Sequence, residues 1–219
     1  MLKNFAFLFI ALASGCVPTH AETTPSHCNE NHNVPSADFA NVIENDFGQP
    51  VLWNQEAFPI RVIVDYSMRE KRKRVVQQAI ATWNRETELN IFSYEESVPM
   101  ETMEENTIWI NEEPLPQNEC GYQLFGLAHR YFRHDFFGIK MSIARSKIQL
   151  HVGIPDDRVL STAIHEFGHA LGLHHDREIQ SVMYPHNNGR RGSITEEDIE
   201  HVRMMVLGPR PEPFIIFNL

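Results

Sequence analysis

Three histidines and a glutamate within one short segment have the types and the spacing that metal-assisted hydrolysis needs. From residue 165 to residue 176 the chain reads His-Glu-Phe-Gly-His-Ala-Leu-Gly-Leu-His-His-Asp. On a helix, residues four apart share a face, so His165 and His169 can bind one zinc ion together. Glu166 is rotated by about 100° around the axis, which predicts that it holds a water molecule rather than the metal.

A third ligand is predicted beyond the end of this helix. Gly172 tolerates the positive φ with which a chain turns sharply out of a helix. Such a turn brings His175 back toward the first two imidazoles, whereas His174 falls outside the spacing and is expected to support the site or face solvent. Three protein ligands leave a fourth position for water, as in catalytic zinc sites. The sequence therefore predicts one catalytic zinc (Zn2+) on His165, His169 and His175.

Hydrophobic periodicity predicts the elements that must position this segment. Strands are predicted from β-branched runs and helices from apolar residues three and four apart. The predicted strands cover 59–65, 91–94, 107–110, 126–132 and 147–154, and the predicted helices cover 70–88, 157–171 and about 195–208. Asp156 or Asp157 is a candidate cap for the second helix. Thr195 and Asp198 lie at the start of the last predicted helix, in a pattern similar to a capping box.

Length and charge exclude several classes of protein. A chain of 219 residues suffices for one domain with a substantial core. With 19 Lys plus Arg against 29 Asp plus Glu, the net charge of −10 argues against nucleic-acid binding and against membrane attachment by charge. No apolar run of about 18 residues exists, so we expect no spanning helix. We expect a monomer.

The first 21 residues predict an export signal, in which Lys3 precedes a short apolar stretch over 5–13. Two processing routes stay open. Residues 12–16 resemble a lipobox, which would lipidate Cys16 and tether the protein to the cell envelope. Cleavage after Ala21 would instead release a secreted protein.

Residues 22–50 are rich in Thr, Ser, Asn, His and Pro, which predicts a linker or loosely attached arm. This arm carries Cys28, and Cys120 lies in the predicted domain. If Cys16 is lipidated or removed, the other two cysteines form an even pair in an oxidising compartment. A disulfide between them and two free thiols are both open.

The histidine segment resembles the signature of the metzincin clan of zinc endopeptidases. The clan's next mark is a turn with a methionine beneath the metal, and Met183 in Ser-Val-Met-Tyr-Pro fits it eight residues after His175. Within the clan the sequence is most similar to the matrixin family, whose turn typically reads Met-Tyr-Pro. Four other segments are also similar to the matrixin family: 58–65, 77–84, 127–129 and 194–199. The resemblance implies a catalytic domain over 51–210 and a tail over 211–219.

Three features depart from the matrixin pattern. Asp176 after the third histidine is more similar to the adamalysin branch. In matrixins a tyrosine shortly after Met-Tyr-Pro commonly forms a wall of the specificity pocket. In this sequence His186 and Asn187 follow instead. The residues around Cys28 do not match the family's inhibitory Pro-Arg-Cys-Gly motif.

The family's second, structural zinc site is only partly matched. His129 and His151 fall where two of its ligands lie, and Cys120 or His134 could complete a set. The usual upstream histidine and aspartate are missing. We therefore expect these to be strand histidines without metal, with a second zinc as the alternative.

The resemblance implies an α+β zincin fold: a mixed, mostly parallel, twisted sheet with two long helices, then a small C-terminal subdomain with the Met-turn and a final helix. A protein or peptide substrate in extended conformation would pair with the edge strand near 126–132. Glu166 would act as general base on a zinc-bound water, in an exported endopeptidase. Met183 would form an apolar floor under the metal. Asp198 would brace the Met-turn through hydrogen bonds, or it would simply place a negative charge at the start of the last helix.

Two alternatives to this function remain at the level of sequence. One is a catalytically silent, zinc-stabilised binding module, against which the intact Glu166 argues. The other retains the chemistry but acts on a cell-wall peptide or another small amide.

Overall fold

The computed structural model describes residues 46, 48, 50–98, 103–118, 121–134, 140–185 and 192–207. The predicted export signal, nearly all of the arm, the three cysteines, His186, Asn187 and the tail lie outside these residues, so the predictions about them stay predictions. In the described part of the chain, no helix combines the length and the apolar character that crossing a membrane requires.

Six described strands form one sheet. They are β1 (Leu52–Trp53), β2 (Ile60–Asp65), β3 (Phe92–Ser97), β4 (Thr107–Glu113), β5 (Gly126–His134) and β6 (Met141–His151). Strands β3, β2, β4 and β6 pair in that order and run parallel, and β1 pairs with the first residues of β6. Strand β5 runs antiparallel on the other side of β6. The mixed, mostly parallel sheet that was predicted is therefore confirmed.

Three helices accompany the sheet: α1 (Glu70–Thr87), α2 (Val159–Leu171) and α3 (Glu196–Leu207). The predicted cap of α2 is wrong, because Arg158 precedes the helix and makes no capping hydrogen bond through its side chain. Asp156 instead forms an ion pair with Lys71 near the start of α1. The Asp156 carboxylate is therefore paired with α1 and does not cap α2.

Strand β6 begins six residues before the predicted start at residue 147. Its second half reads Lys-Ile-Gln-Leu-His, in which polar and apolar residues alternate strictly, whereas its first half reads Met-Ser-Ile-Ala-Arg-Ser and breaks this alternation. This half pairs with β5 on one side and with two-residue β1 on the other. Alternation is the usual sequence signal of a strand, so a prediction based on it finds only the second half.

Two buried tryptophans fix the position of α2. The Trp83 indole on α1 donates a hydrogen bond to the carbonyl oxygen of Ile164 at 3.0 Å. The Trp53 indole on β1 donates to the carbonyl oxygen of Ala170 at 2.9 Å. The Phe167 ring of α2 packs against Phe92 on β3 with ring centroids 4.9 Å apart. Apolar burial and two indole bonds thus hold α2, and its histidines, against both α1 and the sheet.

Candidate metal centre

The first two histidines project from neighbouring turns of α2, and backbone carbonyls orient both rings. His165 Nδ1 lies 2.7 Å from the carbonyl oxygen of Val182, and His169 Nδ1 lies 2.9 Å from that of Leu173. A carbonyl oxygen can only accept, so each Nδ1 carries the hydrogen and donates it. In a neutral ring this leaves the Nε2 lone pair free to bind a metal, as in many metal sites with histidine ligands.

The third histidine is brought back by a left-handed turn at the end of α2. Gly172 has a φ of 113°, and its N–H donates to the carbonyl oxygens of Gly168 and His169. The chain then reverses so that His175 Nε2 lies 3.1 Å from His169 Nε2. The His175 ring centroid is 5.3 Å from that of His165. The three predicted ligands therefore converge.

The donor set fits a zinc ion. Two nitrogens that share a zinc at about 2.0–2.1 Å, with a tetrahedral angle between them, lie about 3.4 Å apart, close to the 3.1 Å between the His169 and His175 Nε2 atoms. One ligand atom from each of the three rings lies within 4.8 Å of the others, and no other such group of His, Cys, Asp or Glu occurs in the described residues.

Burial favours the neutral form of the rings that a metal requires. It lowers the pKa of His165. For His169 burial is again the main cause, and the neighbouring His165 and His175 push the pKa further down, well below its ordinary value.

Glu166 is buried beside the triad and lines the same cleft. Its side chain packs on the backbone of Gly126 at the start of β5, where a Cβ atom would lie 2.4 Å from Glu166 Oε1. Burial raises the pKa of Glu166 to about 8, and the positive charge of Arg130 acts in the opposite direction. The carboxylate thus sits in a poorly hydrated position next to the three imidazoles.

The Met-turn lies directly under α2. Met183 is fully buried, and a Cβ atom at Gly168 would lie 2.3 Å from Met183 Sδ. Gly168 falls between the first two histidines on the helix, so Met183 packs where only a glycine leaves room. The preceding residue, Val182, supplies the carbonyl that orients His165. The turn therefore forms the floor of the histidine cluster.

Asp198 connects the Met-turn to the start of α3. Its carboxylate accepts hydrogen bonds from the Thr195 N–H at 3.0 Å and hydroxyl at 2.9 Å. Thr195 Oγ1 in turn accepts the Asp198 N–H at 3.2 Å, which completes a capping box. The Ser181 hydroxyl donates to the same carboxylate at 3.5 Å and accepts the Met183 N–H at 2.9 Å. Asp198 thus both caps the helix and braces the turn.

Comparison with known proteins agrees with this geometry. The family model described as Peptidase M10, matrixin, matches residues 53–206. The chain belongs to the matrixin family. Matrix metalloproteinase-9 of Canis lupus familiaris is 45% identical over 51 residues, which cover 23% of this chain and 7% of that protein. The matched segment is thus a small part of that relative. Matrixins are zinc-dependent metalloproteases, and the histidine triad of this matrixin could bind the metal.

A cleft of about 720 Å³ runs past the triad of this matrixin. One wall is the first half of β5, including Leu127 and Ala128. The lining also includes Val182, Tyr184 and Pro185 of the Met-turn. Residues of β5 and of the Met-turn therefore border the same cleft as the histidine triad.

The three histidine candidates for a second zinc site do not come together in the described residues. His129 on β5 lies opposite Lys147, whereas His151 lies at the far end of β6 opposite Glu113. His151 Nδ1 accepts the Leu115 N–H at 2.8 Å. His134 ends β5, five residues beyond His129, and Cys120 lies outside the described residues. The register of the sheet thus separates the histidines.

Sequence reasoning missed two residues of the site, Gly126 and Arg130. Gly126 carries no side-chain chemistry, and its role as the surface on which Glu166 packs arises from two distant segments. Arg130 lies two residues after Ala128, so the two-residue period of a strand places it on the same face. That period was the one signal in the sequence that could have directed attention to Arg130.

Proposed function

We propose that this matrixin is an exported, zinc-dependent endopeptidase in which Glu166 is the general base. The single observation that supports it best is the convergence of three oriented imidazoles beside one buried carboxylate in one cleft. A zinc-stabilised binding module would need the histidines but has no use for a carboxylate held in this position. Glu166 therefore favours an enzyme over the binding module.

The substrate is a protein or peptide in extended conformation that adds a strand to β5. Among the described strands, β5 pairs with β6 alone, so its other edge offers backbone N–H and C=O groups along the cleft. Main-chain hydrogen bonds at such an edge bind a peptide with little dependence on its side chains. The open edge and the cleft beside it thus suit peptide recognition.

His165, His169 and His175 would hold the zinc, which when bound supplies Lewis-acid chemistry: it polarises the scissile carbonyl and makes water more acidic. Glu166 then accepts the proton of the attacking water on its carboxylate and delivers it to the leaving amine. Gly126 fixes the carboxylate position by packing against it. Met183 and the Val182 carbonyl keep the helix and the His165 ring in place.

The test pairs Glu166→Ala with Glu56→Ala, a change at an exposed carboxylate in the short 3-10 turn after β1. Zinc content and thermal unfolding are measured alongside cleavage of a mixed peptide pool. We expect Glu166→Ala to retain zinc and fold while the cleavage rate falls by about 10²–10⁴, and Glu56→Ala to match the wild type. A wild-type protein that holds zinc and cleaves nothing in the pool would instead support the binding module.

Export and tethering form a separate part of the proposal. Residues 1–21 direct export, and lipid on Cys16 attaches the protein to the cell envelope. Cys16→Ser should move the protein into the soluble exported fraction, whereas a wild type that is already soluble and begins at Glu22 would favour simple secretion. A disulfide between Cys28 and Cys120 is a further part of the proposal. Thiol alkylation followed by intact-mass measurement tests it, and two alkylated thiols in the unreduced protein would refute it.

A further inference from the structure

Arg130 places a positive charge in the wall of the cleft. It lies on β5, the strand that the proposed substrate would join, and it lines the cleft together with Glu166 and His169. Among the described residues that line the cleft, Arg130 is the only lysine or arginine. The whole chain carries a net charge of −10, so this cation is not part of a general basic surface.

The contacts that Arg130 makes within the described residues use little of its hydrogen-bonding capacity. Nη1 donates to the carbonyl oxygen of His169 at 3.2 Å, in the last turn of α2. The partial negative charge at the end of that helix favours a cation there. A guanidinium carries five N–H donors, and within the described residues Arg130 makes no other hydrogen bond and no ion pair. Glu166 acts on it through charge without forming an ion pair.

An arginine in this situation is suited to bind an anion. Arg130 is half-buried in the wall of the cleft, so its guanidinium is only partly hydrated. Within the described residues no carboxylate forms an ion pair with this half-buried guanidinium, and Glu166 acts on it only through space. A carboxylate that hydrogen-bonds to the guanidinium directly would offset the cost of burying its charge. Arginine binds carboxylates through two parallel hydrogen bonds, which also gives geometric selectivity.

We propose that Arg130 binds a carboxylate of the peptide substrate and makes the cleft selective for acidic peptides. The inference rests on the proposed function, because it requires a peptide lying along β5. The carboxylate has two sources: an Asp or Glu side chain near the scissile bond, or the C-terminal carboxylate of a short peptide. Both offer the same two oxygen atoms to the guanidinium.

The experiment compares matched peptides that differ only in charge. In one arm, Glu is exchanged for Gln at each position around the scissile bond, and in the other, a free C-terminus is exchanged for an amide. We expect kcat/KM of the wild type to favour the carboxylate by about tenfold or more in one arm, since hydrogen bonds to charged groups are among the strongest. The arm that responds identifies the source.

Variants separate recognition from a purely structural role. Arg130→Gln should abolish the preference, Arg130→Lys should keep part of it, and Arg130→Glu should shift the preference toward peptides with Lys. If Arg130 only supports the end of α2 through its bond to His169, all peptides would lose the same factor and the ratio would not change. That result, or a wild type without any preference, overturns the inference.

A binding measurement keeps this inference distinct from the proposed function. The zinc-loaded Glu166→Ala protein is titrated with the same peptide pairs, and dissociation constants are compared. Tighter binding of the acidic member by about tenfold supports the role of Arg130 even if the wild type cleaves nothing, which would overturn only the proposed function. Equal binding of both members, with cleavage intact, overturns only the role of Arg130.

Discussion

A methyl group at Gly126 should displace the Glu166 carboxylate, the proposed general base, without unfolding the protein. In Gly126→Ala the new Cβ would lie 2.4 Å from Glu166 Oε1, 2.6 Å from Cγ and 2.7 Å from Cδ. Carbon atoms prefer separations of about 3.5–4.0 Å, so the Glu166 side chain must move by about 1 Å. It can do so because it borders the open cleft.

The expected cost falls on catalysis rather than on folding. The three atoms nearest to the new methyl group all belong to the Glu166 side chain, and Gly126 lies in a strand without a positive φ. A misplacement of about 1 Å can reduce the rate by about 10²-fold. Zinc content should stay at the wild-type level, because the three atoms nearest to the new Cβ belong to Glu166 and not to a histidine.

The assay measures kcat/KM on one peptide, with zinc content and thermal unfolding of the same samples. A double variant provides the control: Gly126→Ala should cause no further loss in a Glu166→Ala background, because it acts through that carboxylate. A Gly126→Ala protein with kcat/KM within about twofold of the wild type would refute the argument that the position of Glu166 limits the reaction. Loss of zinc would show that the methyl group acts through the metal centre instead.

Three further predictions concern the metal centre and its floor. His175→Ala should greatly reduce zinc content at equilibrium dialysis, and full occupancy would exclude His175 as a ligand. Gly168→Ala should destabilise the fold by about 1–3 kcal/mol in denaturant unfolding, because a Cβ there would lie 2.3 Å from Met183 Sδ; an unchanged midpoint would contradict that packing. Ser181→Ala should cost about 1–3 kcal/mol, because the buried Met183 N–H loses its acceptor. The same unfolding assay tests it, and Ser181→Thr, which retains the hydroxyl, should lose less.

Local sequence determined the parts of the site that lie close together along the chain. The four-residue spacing of His165 and His169 on a helix sets their common face, and Gly172 permits the turn that returns His175. Both features follow from backbone geometry within a dozen residues. The capping box between Thr195 and Asp198 was predictable for the same reason.

The boundaries of the elements were less predictable, because neighbours in space override local pattern. Asp156 has the chemistry of a helix cap, yet it pairs with Lys71, which lies 85 residues away. The first half of β6 was missed because its strand conformation is stabilised by pairing with β1 and β5. Neither partner can be identified from the residues of β6 alone.

Tertiary structure alone decided which side chains surround the triad. Strand register places Gly126 against Glu166 and Arg130 beside the end of α2, and the same register separates His129 from His151. Such proximities depend on how β5 pairs with β6 and how α2 packs on the sheet. A shift of one residue in that pairing would turn every side chain of β5 to the opposite face. The histidine triad is therefore encoded in one short segment, whereas the environment of Glu166 is set by long-range packing.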